Sequence, residues 1–207
     1  IRPEDKTMLN MDGLKDYDLV QLRGDFYEYA PASDTTSMLR LIHDVTYGPP
    51  EKCYIHVVSD IPAMLLRLFG EGSTALLPFQ IGAMYREWGN PGHAMLAIGT
   101  LDNLLKTERR LKVDTSPMVE VTHRCDPNGN FEWVALYNHS GRMNNSFHPP
   151  LPIHDIQISL QADDRKVQSV KSLINDKTIP FTTRNDGRIE ATLSRMDSYD
   201  IVLITYE

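Results

Sequence analysis

Carboxylates are plentiful in the first half of the chain, Asp25, Glu28, Glu51, Glu71 and Glu87 among them, and are of the type that does acid–base chemistry. Cleaving a glycosidic bond that way needs two carboxyls facing each other across a cleft. None of the five sits in a recognisable strand-end setting, and solvated charge is the default for such residues. Glu51 stands apart in "GPPEK", where two prolines hold it rigidly enough to meet a ligand or partner. Seven histidines, His43, His56, His93, His123, His139, His148 and His154, form no H-x-x-x-H or H-E-x-x-H pair. A zinc site is therefore not expected, and neither is any other metal or cofactor. His148, His154 and Asp155 flank the proline-rich "FHPPLPIHD", which a metal or a sugar could use. A solvated loop between strands is the plainer reading. Gly70-Glu71-Gly72 lacks the spacing and the Lys-Ser/Thr of a phosphate loop, and no G-x-S-x-G elbow occurs. Asn138-His139-Ser140 and Asn144-Asn145-Ser146 match the glycosylation sequon, which matters only in a eukaryotic secretory setting.

Aromatic side chains offer a different chemistry. Tyr85, Trp88, Trp133 and Tyr137 are of the kind that stacks on sugar rings. Their helix-like and strand-like spacing fits a core better. Trp133 shares a strand face with Phe131, Ala135 and Tyr137, so that face is expected to be buried. The candidate contacts for a ligand or partner are thus Glu51, Trp88, His93, Trp133 and Tyr137. Cys53 and Cys125 show no spacing of a disulfide framework or metal knuckle, and two free, partly buried thiols are expected.

The chain has 207 residues, 41% hydrophobic and 24% charged, which is ordinary for a soluble fold and long enough for a real core. A net charge of −7 with scattered Lys and Arg argues against nucleic acid. No run of 18 apolar residues spans a membrane, and no signal peptide is visible. The start "IRPEDKTML" reads as processed or cut from something longer.

The elements that must position these residues fall into two groups. "YDLVQLRGDFYEYAP" reads as strand, turn, strand, and "SMLRLI" as a further strand. "VTYGPPEKCYIHVV" reads as an ordered loop leading into a strand at 53–58. "AMLLRLFGEGSTALLPF" reads as a hairpin around residues 70–73. A helix follows at about 80–88 with Ile81, Met84, Tyr85 and Trp88 on one face. A second is capped by Asn90, with Pro91 in its first turn and an apolar stripe of Ala94, Ala97, Ile98, Leu101 and Leu105. After "DTSP" the helical period disappears. Seven short β-like runs spaced by turn formers then predict an antiparallel sandwich. The expected units are residues 1–112 and 113–207.

"YGPPEKCY", "PAMLLRLFGEGSTALLPFQIGAMYREWGNPGHAMLAIGTLDNLL", "LYNHSG" and "YDIVLITYE" resemble the C-terminal part of bacterial beta-galactosidase-type glycoside hydrolases that carry a trimerisation domain. The resemblance covers most of residues 45–207. It implies a partial flavodoxin-like or amidotransferase-like α/β unit, then an all-β sandwich. It also implies a catalytic TIM barrel upstream, so no catalytic residue carries over to this chain. On this reading the chain is a non-catalytic assembly and stability region, soluble in a bacterial cytoplasm or periplasm. Its partners are copies of itself or the upstream barrel. The alternatives are a carbohydrate-binding module using Trp133 and Tyr137, or a self-contained hydrolase using Glu51, Glu28 or Asp25.

Overall fold

The computed structural model describes residues 2–3, 19–43, 49, 57–105 and 107–207. The chain divides into two compact units, Ile1–Glu108 and Arg109–Glu207.

In the first unit, β1 (Arg2–Pro3), β2 (Thr35–Ile42), β3 (Val58–Phe69) and β4 (Gly72–Leu76) make one sheet in that order, and every pairing is antiparallel. This corrects the flavodoxin-like expectation for the described residues. A doubly wound fold needs parallel strands joined by crossover helices, whereas here β3 turns directly into β4. Gly70 makes that turn possible, with φ at +58° where a side chain would be strained. Pro62 lies within β3, but β4 pairs only with Leu65–Phe69. The proline therefore sits where β3 lacks a neighbour on the β4 side, as its missing N–H requires. The strand–turn–strand expected at 17–29 is not formed among the described residues. Residues 19–30 run irregularly, with a single bridge from Phe26 to Phe79, whose rings stack at 6.2 Å.

Two helices follow, α1 (Ile81–Trp88) and α2 (Pro91–Leu104). Gly89, at φ +61°, ends α1 by donating its N–H to the Tyr85 carbonyl. Asn90 Oδ1 accepts the Gly92 N–H at 2.8 Å, and Pro91 stands at the first helical position. The core gathers Val20, Met38, Leu39, Ala63, Met64, Phe79, Met84 and Leu96. The stripe expected on α2 faces the other way. Gly92, His93, Leu96, Gly99 and Thr100 are buried, whereas Ile98, Leu101 and Leu105 are exposed.

The second unit is all β. Its strands are β5 (Leu111–Asp114), β6 (Val119–Cys125), β7 (Phe131–Asn138), β8 (Arg142–Met143), β9 (Ser146–Phe147), β10 (Ile153–Gln161), β11 (Val167–Ser172), β12 (Lys177–Thr178), β13 (Phe181–Thr183), β14 (Arg188–Met196) and β15 (Tyr199–Tyr206). They form a sheet ordered β13-β14-β10-β5, a second ordered β12-β11-β15-β7-β6, and a small β8-β9 ribbon. All pairings are antiparallel. The two larger sheets bury one shared cluster, including Val134, Leu136, Ile156, Leu160, Ile189 and Val202. That is a β-sandwich.

Candidate functional site

Alternation along β7 sends Glu132, Val134, Leu136 and Asn138 inward, and Phe131, Trp133, Ala135 and Tyr137 outward. The sequence expectation chose the wrong face as the buried one. Trp133 is half-buried and Tyr137 is exposed, and neither belongs to the core cluster.

The inward Glu132 meets four side-chain partners, and its own side chain is 0% exposed. Oε1 accepts from Arg110 Nη2 at 2.6 Å, from Arg165 Nη2, and from the Tyr206 hydroxyl at 3.0 Å. Oε2 meets His123 Nε2 at 2.6 Å. Arg110 also donates to Asp163 Oδ2 at 2.6 Å, and the Arg165 guanidinium lies 3.9 Å from the centre of the Tyr206 ring. Burial alone would raise the Glu132 pKa, but the hydrogen bonds from Arg110, Arg165 and His123 outweigh it and hold the carboxyl down at about 2. Burial, then the nearby carboxylate, pushes the Tyr206 phenol well up. Burial followed by Glu132 also raises the Cys125 thiol.

These directions restrict the chemistry. A carboxyl held ionised by two guanidiniums is a poor general acid at neutral pH. A thiol with a raised pKa is not an activated nucleophile. The same His123 nitrogen faces Glu132 at 2.6 Å and Cys125 Sγ at 3.8 Å, so the three do not form a relay through opposite ring nitrogens. His123, Cys125 and Glu132 do converge within 4.8 Å, the spacing of a metal site. Two guanidiniums on the same carboxylate oppose a dication there, because the charges of Glu132 and Asp163 are already balanced by Arg110 and Arg165. The cluster is a charge lock joining β6, β7, β15 and the segments that carry Arg110 and Arg165.

A second feature lies where β7 ends. Tyr137, His139, Arg142, Phe147 and His148 line a hollow of about 130 Å³ together with Asn138, Gly141, Pro150 and Ser198. A larger hollow, about 510 Å³, lies over Gln157, Ser159, Phe181, Glu190 and Thr192 of the four-stranded sheet. It is open and offers few converging groups.

The sequence-predicted residues divide between the units. Trp88 and His93 are brought together, their rings 6.0 Å apart, with the Arg23 guanidinium 5.5 Å from the Trp88 ring. His93 is fully buried, and its Nε2–H donates to the Gln21 carbonyl at 2.7 Å, while Nδ1 finds no partner among the described residues. Trp133 and Tyr137 share the outward face of β7. Glu51 and Cys53 lie outside the described residues. Cys125 is a free, exposed thiol. Sequence reasoning missed Glu132, Arg110 and Arg165. The available signal was a glutamate alternating in register with Val134 and Leu136.

No protein-family model matches the chain, and no curated protein matches it by sequence. Among solved structures, the whole chain superposes on 31% of the alpha-L-fucosidase isoenzyme 2 of Paenibacillus thiaminolyticus, with a TM-score of 0.72 at 17% identity. A GH42 beta-galactosidase from G. stearothermophilus overlaps 72% of this chain and 16% of its own, with a TM-score of 0.37 at 16% identity. A cycloisomaltooligosaccharide glucanotransferase from Paenibacillus sp. overlaps 54% of this chain and 20% of its own, with a TM-score of 0.31 at 18% identity. The chain thus spans about a third of the fucosidase, and at that identity they share a fold. The other two overlaps are too loose to carry an argument. No helix among the described residues is long and apolar enough to cross a membrane.

Proposed function

We propose that this chain is a non-catalytic accessory region of a carbohydrate-active glycoside hydrolase, serving assembly and stability. The observation behind this reading is the superposition of the whole chain on only 31% of an alpha-L-fucosidase. The sequence resemblance adds a beta-galactosidase-type parent. The surface supplies a physical reason for assembly. Leu101, 57% exposed, lies with Ile98 on α2 and Leu105 caps its end, also exposed, and Leu68 and Phe69 stand exposed at the end of β3. Burying such area against an upstream barrel or a second copy gains roughly 25 cal/mol per Å² before association costs. The test joins light scattering over a dilution series with assays on nitrophenyl fucosides and galactosides. Self-association without turnover is expected. Turnover lost on changing Asp25 or Glu28 to the amide overturns the non-catalytic half, and a monomer at every concentration that also ignores an added barrel overturns the assembly half.

A second reading, carbohydrate contact through Trp133 and Tyr137, is favoured by one observation. Both residues lie on the outward face of β7, and Tyr199 sits directly opposite Tyr137 in register. Binding of neutral oligosaccharides that disappears in Trp133→Ala supports it.

A further inference from the structure

The hollow at the end of β7 is a built feature. Asn138 is buried, and its Nδ2 donates to the carbonyls of Leu151 at 2.8 Å and Asp197 at 2.6 Å. Its Oδ1 accepts the Ser140 N–H at 3.0 Å, and Ser140 Oγ accepts the Leu151 N–H at 2.9 Å. These bonds tie both ends of the 139–151 loop to one strand end. Within the loop, His148 N–H donates to the Gly141 carbonyl at 2.8 Å. A β-carbon on Gly141 would fall 2.1 Å from the His148 carbonyl oxygen, so only glycine lets the two backbone segments pass this closely. The cup is therefore held open before any ligand arrives, which lowers the ordering cost of binding.

Its chemistry runs against that of the whole chain. The net charge is −7, yet the lining residues include no carboxylate and do include Arg142, His139 and His148. Arg142 makes no ion pair among the described residues, and the one hydrogen bond of its side chain there is a long 3.4 Å contact to the Asn144 carbonyl. His139 is held by Glu120 Oε2 at 3.0 Å, outside the lining. Two aromatic rings complete the wall. Phe147 is 75% exposed and Tyr137 is 48% exposed, its ring 4.6 Å from that of His139. A hollow of about 130 Å³ holds roughly four waters' worth of volume, close to that of one six-membered ring.

We propose that this cup binds a single sugar ring that carries a carboxylate, a hexuronate. The guanidinium of Arg142 and the ring of His148 take the carboxylate. Tyr137 and Phe147 cover the apolar C–H face of the ring, and the Tyr137 hydroxyl serves its hydroxyl groups. The proposal depends on neither reading of the function given above.

The test titrates the full chain at low salt with galacturonate, glucuronate, galactose and acetate, followed by calorimetry or amide NMR. Uronate binding of millimolar order is expected, at least about tenfold tighter than galactose, with acetate weaker still. Arg142→Ala should cost about tenfold or more and His148→Ala a few-fold, while Trp133→Ala leaves uronate binding unchanged. Arg142 and His148 are exposed, so unchanged melting temperatures confirm that both variants stay folded. Equal affinity for galactose and galacturonate, equal affinity for acetate, or uronate binding indifferent to Arg142→Ala overturns the proposal. So does the absence of any uronate binding. Binding lost only in Trp133→Ala moves the contact to the sheet face and overturns the cup.

Discussion

Changing Glu132 to Gln removes one negative charge and little volume. It leaves the Arg110 and Arg165 guanidiniums aimed at a neutral amide in a site from which the Glu132 side chain sees no solvent. Removing one partner of a buried ion pair typically costs about 3–5 kcal/mol. The two arginine side chains are 37% and 28% exposed, and Arg110 keeps Asp163, so the lower end applies, about 3 kcal/mol. Proton linkage gives a similar figure. A carboxyl whose pKa falls from 4.5 to about 2 on folding contributes about 3 kcal/mol at neutral pH. For a unit of this size each kcal/mol is worth about 4–8 °C, so the second transition should fall by roughly 12–24 °C at pH 7. The sign with pH follows from the lowered value. The contribution is complete above about pH 4.5 and is lost as pH falls through about 2. Melts of wild type and Glu132→Gln between pH 7 and pH 2, read by near-ultraviolet circular dichroism, should therefore converge at the acid end. A shift under about 4 °C at neutral pH, or a gap that persists unchanged at pH 2.5, refutes the reasoning.

Trp133→Ala should destabilise by less than about 2 kcal/mol, because the indole is half-buried on the outward face, whereas Leu136→Ala in the core should cost about 2–5 kcal/mol; urea denaturation of both variants ranks them. Asn138→Ala should cost about 2–3 kcal/mol, since it leaves the Leu151 and Asp197 carbonyls without their donor, and it should speed amide exchange at Ser140. Cobalt(II) added to the reduced protein should give no thiolate charge-transfer absorption near Cys125; a band that vanishes in Cys125→Ser would show that the arginines fail to exclude a dication. Limited proteolysis should cut between residues 105 and 111, where the two units meet in sequence, and yield a stable fragment beginning near Arg109.

Period was legible in this sequence, and phase was not. The alternation along β7 was correct, yet Phe131, Trp133, Ala135 and Tyr137 looked more apolar than Glu132, Val134, Leu136 and Asn138, so the wrong set was placed inside. Helix α2 repeats the error for the same reason. Its inward face is built from Gly92, His93, Gly99 and Thr100, small or polar residues that permit close approach, and the larger Ile98 and Leu101 point away. In both elements the more apolar-looking face is the outward one, and periodicity gives the repeat without saying which face points inward. The turns were plainer. Gly70, Gly89, Asn90 and Pro91 each have one backbone role, and each fills it. The six long strands of the sandwich and the short β13 were readable as runs, while β5, β8, β9 and β12, of two to four residues, carry too few side chains to show a period. The charge lock was hidden because Arg110 and Arg165 are 22 and 33 residues from Glu132, and no local pattern links them.

The position of β15 bears on how this unit comes into being on the ribosome. It comes after the other strands of this unit in chain order, yet it lies in the middle of its sheet, between β11 and β7. Until it emerges, β11 and β7 have no shared neighbour, and Glu132 lacks the Tyr206 hydroxyl, its partner from 74 residues further on. The nascent sheet therefore exists as two open-edged halves, β7 with β6 and β11 with β12, each able to pair with a strand of another chain. Closure is a single late event that zips both edges at once. Slow translation or truncation within β15 should divert the protein toward aggregates and not toward a partly folded monomer.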